Sequence, residues 1–130
     1  MTGATIISSS AVSIFTTNLS GSGPAAALDA FTFTGAPFNA MQSNGQPNII
    51  AVFCTGLGDD ATDLDGNVTA TVLATLDDQP VTVNYAGRAP GFSGLNQLNI
   101  VFPTGITAGV HKLSVTRNGV TSNTVTIAVR

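Results

Sequence analysis

The sequence predicts an all-β protein, built as an antiparallel β-sandwich of roughly seven to nine strands. Only 8% of its 130 residues are charged and none is Glu, whereas helix surfaces are usually covered by Glu, Lys and Arg. Short runs alternate apolar and polar residues, which is typical of strands with one buried face. Turn-forming residues separate these runs at intervals of about ten residues, the spacing expected of a sandwich.

Nine segments carry the strand pattern, and the chain length fits one domain over residues 1–130. The predicted strands are residues 4–8, 11–17, 25–34, 48–55, 68–75, 80–86, 95–102, 110–117 and 122–129. Three groups of apolar residues are each expected to share one face: Val81, Val83 and Tyr85; Leu98, Ile100 and Phe102; Val125, Ile127 and Val129.

Local signals near the C-terminus predict a hairpin. Asn118-Gly119 supplies the two positive φ angles that a type I′ turn requires. The parity of apolar residues changes between Val120 and Val125, which predicts a bulge or kink near Ser122. Further back, the run "NIIAVF" is apolar on both faces and is expected to be a central strand.

Charge and composition exclude several classes of protein. With a net charge of −3 and four Lys and Arg, the chain lacks the cations that bind nucleic acid or anionic lipid. No apolar run approaches the 18 or so residues of a membrane span, and the N-terminus lacks the features of an intact signal peptide. The single cysteine, Cys54, lies in an apolar run and is interpreted as a small buried hydrophobe.

An acidic loop is the candidate metal site. Its four carboxylates are Asp59, Asp60, Asp63 and Asp65. Clustered carboxylates can bind Ca²⁺, but an EF-hand frame places Ala61 and Val72 where carboxylates are required. Either an irregular calcium site or a solvated Asp-Gly turn is consistent with this loop, and no other cofactor is expected.

Three further features allow a functional or a structural interpretation. The glycine-rich loop within "VNYAGRAPGFSGLNQLNIVFPTG" lacks the Lys and the following helix of a phosphate loop, so a tight corner plugged by Phe92 is favoured. Gln97 and Asn99 are either a ligand-binding amide pair or ties for nearby loops. His111 is the one available general base, and a surface histidine is the favoured interpretation.

Longer motifs carry a resemblance to a known family. One reads Y-A-G-x-A-P-G-F-x-G-L-x-Q-x-N from Tyr85 to Asn99, followed by the P-x-G turn at 103–105 and G-V-x-S-N-x-V-T-I over 119–127. Earlier, "IFTTNLSGSGPAAALDA" and "NIIAVFCTGLG" fit the same pattern. Residues 11–130 thus resemble an uncharacterised C-terminal domain of large secreted bacterial proteins, abundant in acidobacteria, although the loop after T-G-L-G is Asp-rich here and Pro-rich in that family.

The resemblance implies an immunoglobulin-like sandwich related to the IPT/TIG type, on an exported bacterial protein, and it implies no catalytic residues. The first functional hypothesis is therefore a non-enzymatic spacer, stalk or adhesive module that is secreted or displayed at the cell surface. A second is self-association into an extracellular filament through sheet edges and residues 1–17, acting as an N-terminal strand extension donated to a neighbour. A third is a carbohydrate- or Ca²⁺-binding module, although the chain has no Trp and one Tyr.

Overall fold

The computed structural model describes residues 12–57, 72–91 and 95–130. Over these residues the chain is all-β and has no helix, which confirms the predicted fold class. The strands are β1 Ser13–Ile14, β2 Ala27–Asp29, β3 Ile49–Thr55, β4 Val72–Leu76, β5 Gln79–Arg88, β6 Asn96–Val101, β7 Gly109–Arg117, β8 Val120–Thr121 and β9 Val125–Val129. All pairings between these strands are antiparallel.

Two sheets share strand β5. In the first sheet, β3 lies between β6 on one side and β1 and β2 on the other, and β6 pairs with the later part of β5. In the second, β4 lies between the start of β5 and β7, which also pairs with β8 and β9. The change of sheet falls between Val81, opposite Ala74 of β4, and Thr82, opposite Val101 of β6. A strand that passes between sheets in this way forms a corner of a sandwich.

The outer edge of β9 is occupied by earlier parts of the chain. Pro24 and Phe38 make isolated parallel bridges to Thr126 and Val129. The backbone amide of Phe38 donates to the carbonyl of Ala128 at 2.8 Å, and that of Thr126 donates to the carbonyl of Gly23 at 2.9 Å. Because the chain continues from residue 24 into β2 and so onto β3, these contacts nearly close the sheet.

The core lies between the two sheets and follows the predicted alternation. Leu98, Ile100 and Phe102 are at most 1% exposed, and Val125, Ile127 and Val129 at most 4%. The central strand β3 buries Ile50, Val52 and Cys54 completely. These findings confirm the predicted faces of β6 and β9 and the predicted central position of "NIIAVF".

The predicted face of β5 is wrong at its end. A bulge at Asn84 shifts the register, so that Val83 lies opposite Ile100 but Tyr85 lies opposite Asn99. Ala86, which is fully buried, therefore occupies the core face in place of Tyr85. The Tyr85 hydroxyl instead donates to the carbonyl of Arg88 at 2.6 Å. A bulge of this kind commonly re-aims a side chain near a corner.

Two other predicted strands differ from the structure. The strand predicted over 25–34 ends at Asp29, because the carboxylate of Asp29 accepts the amides of Phe31 and Thr32 and turns the chain. The strand predicted over 122–129 is shorter in the structure, where β9 begins at Val125. A kink at Ser122 separates β9 from β8. There the Ser122 hydroxyl accepts the Val115 amide at 2.9 Å, which confirms the predicted break in pairing. The positive φ angles of Asn118 and Gly119, 53° and 78°, confirm the type I′ turn.

The N-terminal segment is described from residue 12 onward. Within it, Ser13 and Ile14 pair with Thr55 and Cys54 of β3. Val12, Ile14 and Thr16 are at most 3% exposed. In this chain, residues 12–17 therefore complete the domain's own core, and the strand predicted at 4–8 lies outside the described residues.

Candidate functional site

The histidine lies at one end of the second sheet. His111 sits in β7, and Asp77 sits in the two-residue turn between β4 and β5, where Asp77 and Asp78 have positive φ angles of 51° and 66°. The Asp77 carboxylate approaches His111 Nδ1 at 2.6 Å and accepts the Lys112 amide at 2.8 Å. The other ring nitrogen, Nε2, lies 2.7 Å from the carbonyl of Thr107. His111 is only 9% exposed, so its expected position at the surface is wrong.

The electrostatics of this pair favour a charged imidazole. The Thr107 carbonyl raises the pKa of His111, desolvation by burial opposes this rise, and the hydrogen bond and charge of Asp77 add to it. The Lys112 amide, followed by the hydrogen bond from His111, holds the pKa of Asp77 below its usual value. Both ring nitrogens of His111 thus face oxygen acceptors, the Asp77 carboxylate and the Thr107 carbonyl. These contacts join strand β7 to the turn between β4 and β5 and to the loop that contains Thr107.

The glycine-rich loop is described as far as Gly91 and again from Leu95. The Ala89 amide donates to the Leu95 carbonyl at 2.8 Å and closes the corner. Gly91 has a φ of 82°, which a side chain would strain. The part of this loop that the structure describes thus behaves as the predicted corner, while the predicted plug at Phe92 lies outside the described residues.

The tie between this corner and β3 comes from Asn96. Its side-chain oxygen accepts the amide of the fully buried Leu57 at 3.0 Å. The Arg117 guanidinium donates a hydrogen bond to the Leu57 carbonyl. Gln97 and Asn99, the residues selected from the sequence, bond to each other at 2.9 Å along the face of β6. Sequence reasoning missed Asn96, whose position at the start of a strand after a glycine-rich loop was the available signal.

The four aspartates of the candidate calcium site, Asp59, Asp60, Asp63 and Asp65, lie outside the described residues. Among the residues that the structure does describe, no group of three or more His, Cys, Asp or Glu side chains is arranged to hold a metal ion. The calcium site stays a prediction.

A polar pair that the sequence did not reveal lies at the end of β2. Asp29 is 5% exposed and Asn48 is 1% exposed. Asn48 Nδ2 donates to Asp29 Oδ2 at 2.8 Å and to the Asn39 carbonyl at 2.9 Å. Burial would raise the pKa of Asp29, but hydrogen bonds from Asn48, Phe31 and Thr32 outweigh it and hold this pKa below the usual value. Asp29 is therefore a charged group whose hydrogen bonds fix two loops.

The Asp29–Asn48 pair forms the floor of a concave pocket of about 260 Å³. Its walls come from the loops after β2 and before β3 and comprise Phe31, Thr32, Asn39, Met41, Gln42 and Ser43. Phe31 and Met41 are 51% and 59% exposed. No cationic side chain lines the pocket, so an anionic ligand has no partner there.

Comparisons with known proteins add no relative. Neither a scan against protein-family models nor a search of curated proteins finds a match to this sequence. The resemblance to the secreted bacterial domain therefore stays a prediction. In the described part of the chain, no helix is long and apolar enough to cross a membrane.

Proposed function

We propose that this protein is a non-enzymatic structural and interaction module of a bacterial extracellular or cell-surface protein, acting as a spacer, stalk or adhesive domain. The main support is the use of polar side chains. Asn and Asp residues, which could otherwise bind a ligand, form hydrogen bonds to the backbone instead. Asn123, Asn96, Asp77 and Asp29 each accept at least one main-chain amide.

The two ends of the described fold are held by side-chain hydrogen bonds. Asn123 accepts the Ile14 amide at 2.8 Å and donates to the carbonyls of Ile14 and Gly21 at 3.0 and 2.8 Å. The Arg130 guanidinium donates to the Pro37 carbonyl at 2.8 Å, and its amide donates to the Phe38 carbonyl at 2.9 Å. Hydrogen bonds at both ends of the described fold suit a module that transmits tension. Under a stretching force, the bonds of Asn123 and Arg130 would resist separation of the segments that they join.

The sequence supports the proposed location. A surface with few charges and many Thr, Ser and Asn side chains suits a spacer, and the resemblance described above implies an exported protein. Cell fractionation of the producing bacterium tests this location. We expect to recover the protein from the medium or from the cell-surface fraction. Recovery with the cytoplasmic proteins contradicts the proposed location.

Force spectroscopy tests the mechanical role. A tandem array of the domain is expected to unfold in single, uniform events, and Asn123→Ala is expected to lower the unfolding force. Thr124→Ala, at a neighbouring exposed position, is the matched control and should leave this force unchanged. Equal forces for the two variants, or turnover of any substrate that is lost in His111→Ala, overturns the proposal.

A second candidate, filament assembly by strand donation, has one favouring observation. Strand β1 is only two residues long, yet its segment places Val12, Ile14 and Thr16 in the core. In strand exchange, the corresponding segment of a neighbouring copy would make these same contacts. Electron microscopy of the purified protein distinguishes the two roles: regular fibres that vanish when residues 1–17 are removed support assembly, and dispersed monomers oppose it.

A further inference from the structure

The floor of the pocket described above carries a negative charge without a positive partner. Asp29 is 5% exposed, and its lowered pKa keeps it ionised at neutral pH. Its hydrogen-bond donors are all neutral groups, from Asn48, Phe31 and Thr32. No positive side chain contributes to this pKa shift, and Asp29 makes no ion pair within the described part of the chain. Its hydrogen bonds therefore satisfy the carboxylate oxygens but do not neutralise their charge, and buried charges are usually paired.

The other polar groups of the pocket offer acceptors rather than donors. Both hydrogens of the Asn48 side-chain amide are used, in bonds to Asp29 Oδ2 and to the Asn39 carbonyl. Gln42 Nε2 donates to the Pro47 carbonyl at 2.9 Å, which leaves Gln42 Oε1 as an acceptor. Nitrogen and oxygen are unambiguous here, because carboxylate and carbonyl oxygens only accept. A ligand that donates hydrogen bonds is therefore favoured over one that accepts them.

The walls beside the carboxylate are apolar. Phe31 and Met41 line the pocket and are 51% and 59% exposed, so both have surface left for a ligand. An aromatic ring attracts a cation over its face, and a thioether packs against irregular apolar groups. By contrast, Ca²⁺ takes about six to eight oxygen ligands, and a single carboxylate beside apolar walls does not supply such a set. These walls favour an organic cation over a metal ion.

The loops that form the pocket are held in place by their own hydrogen bonds. The Asp29 carboxylate accepts the amides of Phe31 and Thr32, and the Gln42 amide donates to the Gln46 carbonyl at 2.7 Å. A preorganised site of this kind loses little conformational freedom on binding. Its volume of about 260 Å³ exceeds the roughly 150 Å³ of a cavity that holds benzene. A ligand with fewer heavy atoms than benzene therefore fits.

We propose that this pocket binds a primary ammonium group on a short carbon chain. The ammonium group donates to the Asp29 carboxylate, while Phe31 and Met41 cover the adjoining carbon atoms. A primary ammonium has three donors and no acceptor, which matches the acceptors that the pocket offers. The site is independent of the mechanical role proposed above, because that role depends on Asn123 and Arg130.

Nuclear magnetic resonance titration of the intact protein with n-butylammonium tests the site, and n-butanol is the neutral probe of similar size. We expect n-butylammonium to shift the amide signals of Phe31, Thr32 and Gln42 with a Kd of about 1–10 mM. Binding of n-butanol should be at least about fivefold weaker, since it lacks the charge. This comparison uses wild type alone and does not depend on the folding of a variant. Equal binding of the two probes, or no saturable shift of these signals, overturns the site.

Two matched pairs of variants locate the interaction. Asp29→Asn keeps the size of the side chain and should weaken n-butylammonium binding at least about fivefold. Asp78→Asn, in the turn between β4 and β5, changes the net charge equally and should have no effect. Phe31→Leu should weaken binding about two- to fivefold, whereas Phe33→Leu, at an exposed position that does not line the pocket, should not. Thermal unfolding verifies the fold of each variant. Equal weakening within either pair overturns the site.

A lysine blocked at both its backbone amine and its carboxyl group identifies the source of the ammonium group. Tighter binding than that of n-butylammonium assigns the pocket to a lysine side chain of a polypeptide. Weaker binding assigns it to a free amine. Both results support an ammonium site, provided that Asp29→Asn weakens the binding, and binding that Asp29→Asn leaves unchanged contradicts it.

Discussion

The imidazole Nδ1 of His111 lies 2.6 Å from Oδ2 of Asp77, across the end of the β4–β5 hairpin. This contact joins two residues 34 positions apart in the sequence. Because the Thr107 carbonyl and Asp77 accept from both ring nitrogens, the pair locks a turn, a strand and a loop together. Its chemistry is that of a clamp whose strength depends on pH.

The stability of this clamp should be greatest in mildly acidic solution. His111 has a raised pKa in the folded state, so its contribution is complete below the unfolded value of 6.5 and is lost as pH rises through the folded value. Asp77 has a lowered pKa, so its contribution is present above 3.8 and is lost as pH falls through the folded value. The two together define a window from about pH 4 to about pH 6.5.

Urea unfolding of wild type and His111→Gln at about pH 5.5 and about pH 8.5 checks this window. The free energy of unfolding that the substitution removes should be larger at the lower pH. Asp78→Asn, which alters the neighbouring turn position, serves as a control without this pH dependence. A loss that is equal at both pH values, or larger at the higher one, contradicts the clamp.

Asn123 should be among the most important polar residues for stability. Asn123→Ala removes three hydrogen bonds and leaves the amide and carbonyl of Ile14, which is 1% exposed, without these partners. The expected loss is about 2–3 kcal/mol in the free energy of unfolding. The exposed Thr124→Ala is expected to change it by less than about 0.5 kcal/mol. Comparable losses for the two variants in chemical denaturation rule out the anchoring role.

The Asp77-Asp78 turn offers a stabilising substitution. Both residues have positive φ angles, and Asp-Gly is a preferred pair for such a turn. Asp78→Gly keeps the Asp77 carboxylate and relieves the strain at the second position, for an expected gain of about 0.5–1 kcal/mol. Gly119→Ala, at the matching position of the Asn118 turn, should destabilise instead. Melting temperatures measure both effects. If the two variants shift the melting temperature in the same direction, positive φ does not set the preference for Gly at these positions.

Cys54 should be unreactive in the folded protein. It is fully buried in β3, and burial raises the pKa of its thiol to about 12. Since the thiolate is the reactive form, a disulfide reagent should modify Cys54 only as the protein unfolds. Labelling in native buffer and in denaturant measures both rates. Rapid labelling in native buffer is inconsistent with this burial.

Much of the fold follows from local patterns. The alternation over β6 and β9 and the Asn118-Gly119 pair each predicted their structure, because period-two burial and positive φ are set by neighbours in the sequence. The displaced face at Tyr85 was not predictable in this way, since the bulge at Asn84 depends on how β5 passes between two sheets. Asp29 likewise ended a predicted strand through contacts with a loop that follows it.

The candidate site was less predictable than the fold. Asp77 and His111, and Asp29 and Asn48, are pairs of residues 34 and 19 positions apart. Only the strand order brings them together. In the sequence, the only indication of the environment of His111 is the adjacent Lys112, and a charged neighbour suggests an exposed position. The pocket lined by Asp29 and Asn48 likewise depends on two loops that meet at the end of β2.

Amide hydrogen exchange measures whether polar side chains serve in this protein as partners for the backbone. The informative amides are those bonded to side chains: Ile14 to Asn123, Phe31 to Asp29, Leu57 to Asn96 and Lys112 to Asp77. We expect protection of these amides close to that of the paired strands. Exchange at the rate of open loops would contradict it.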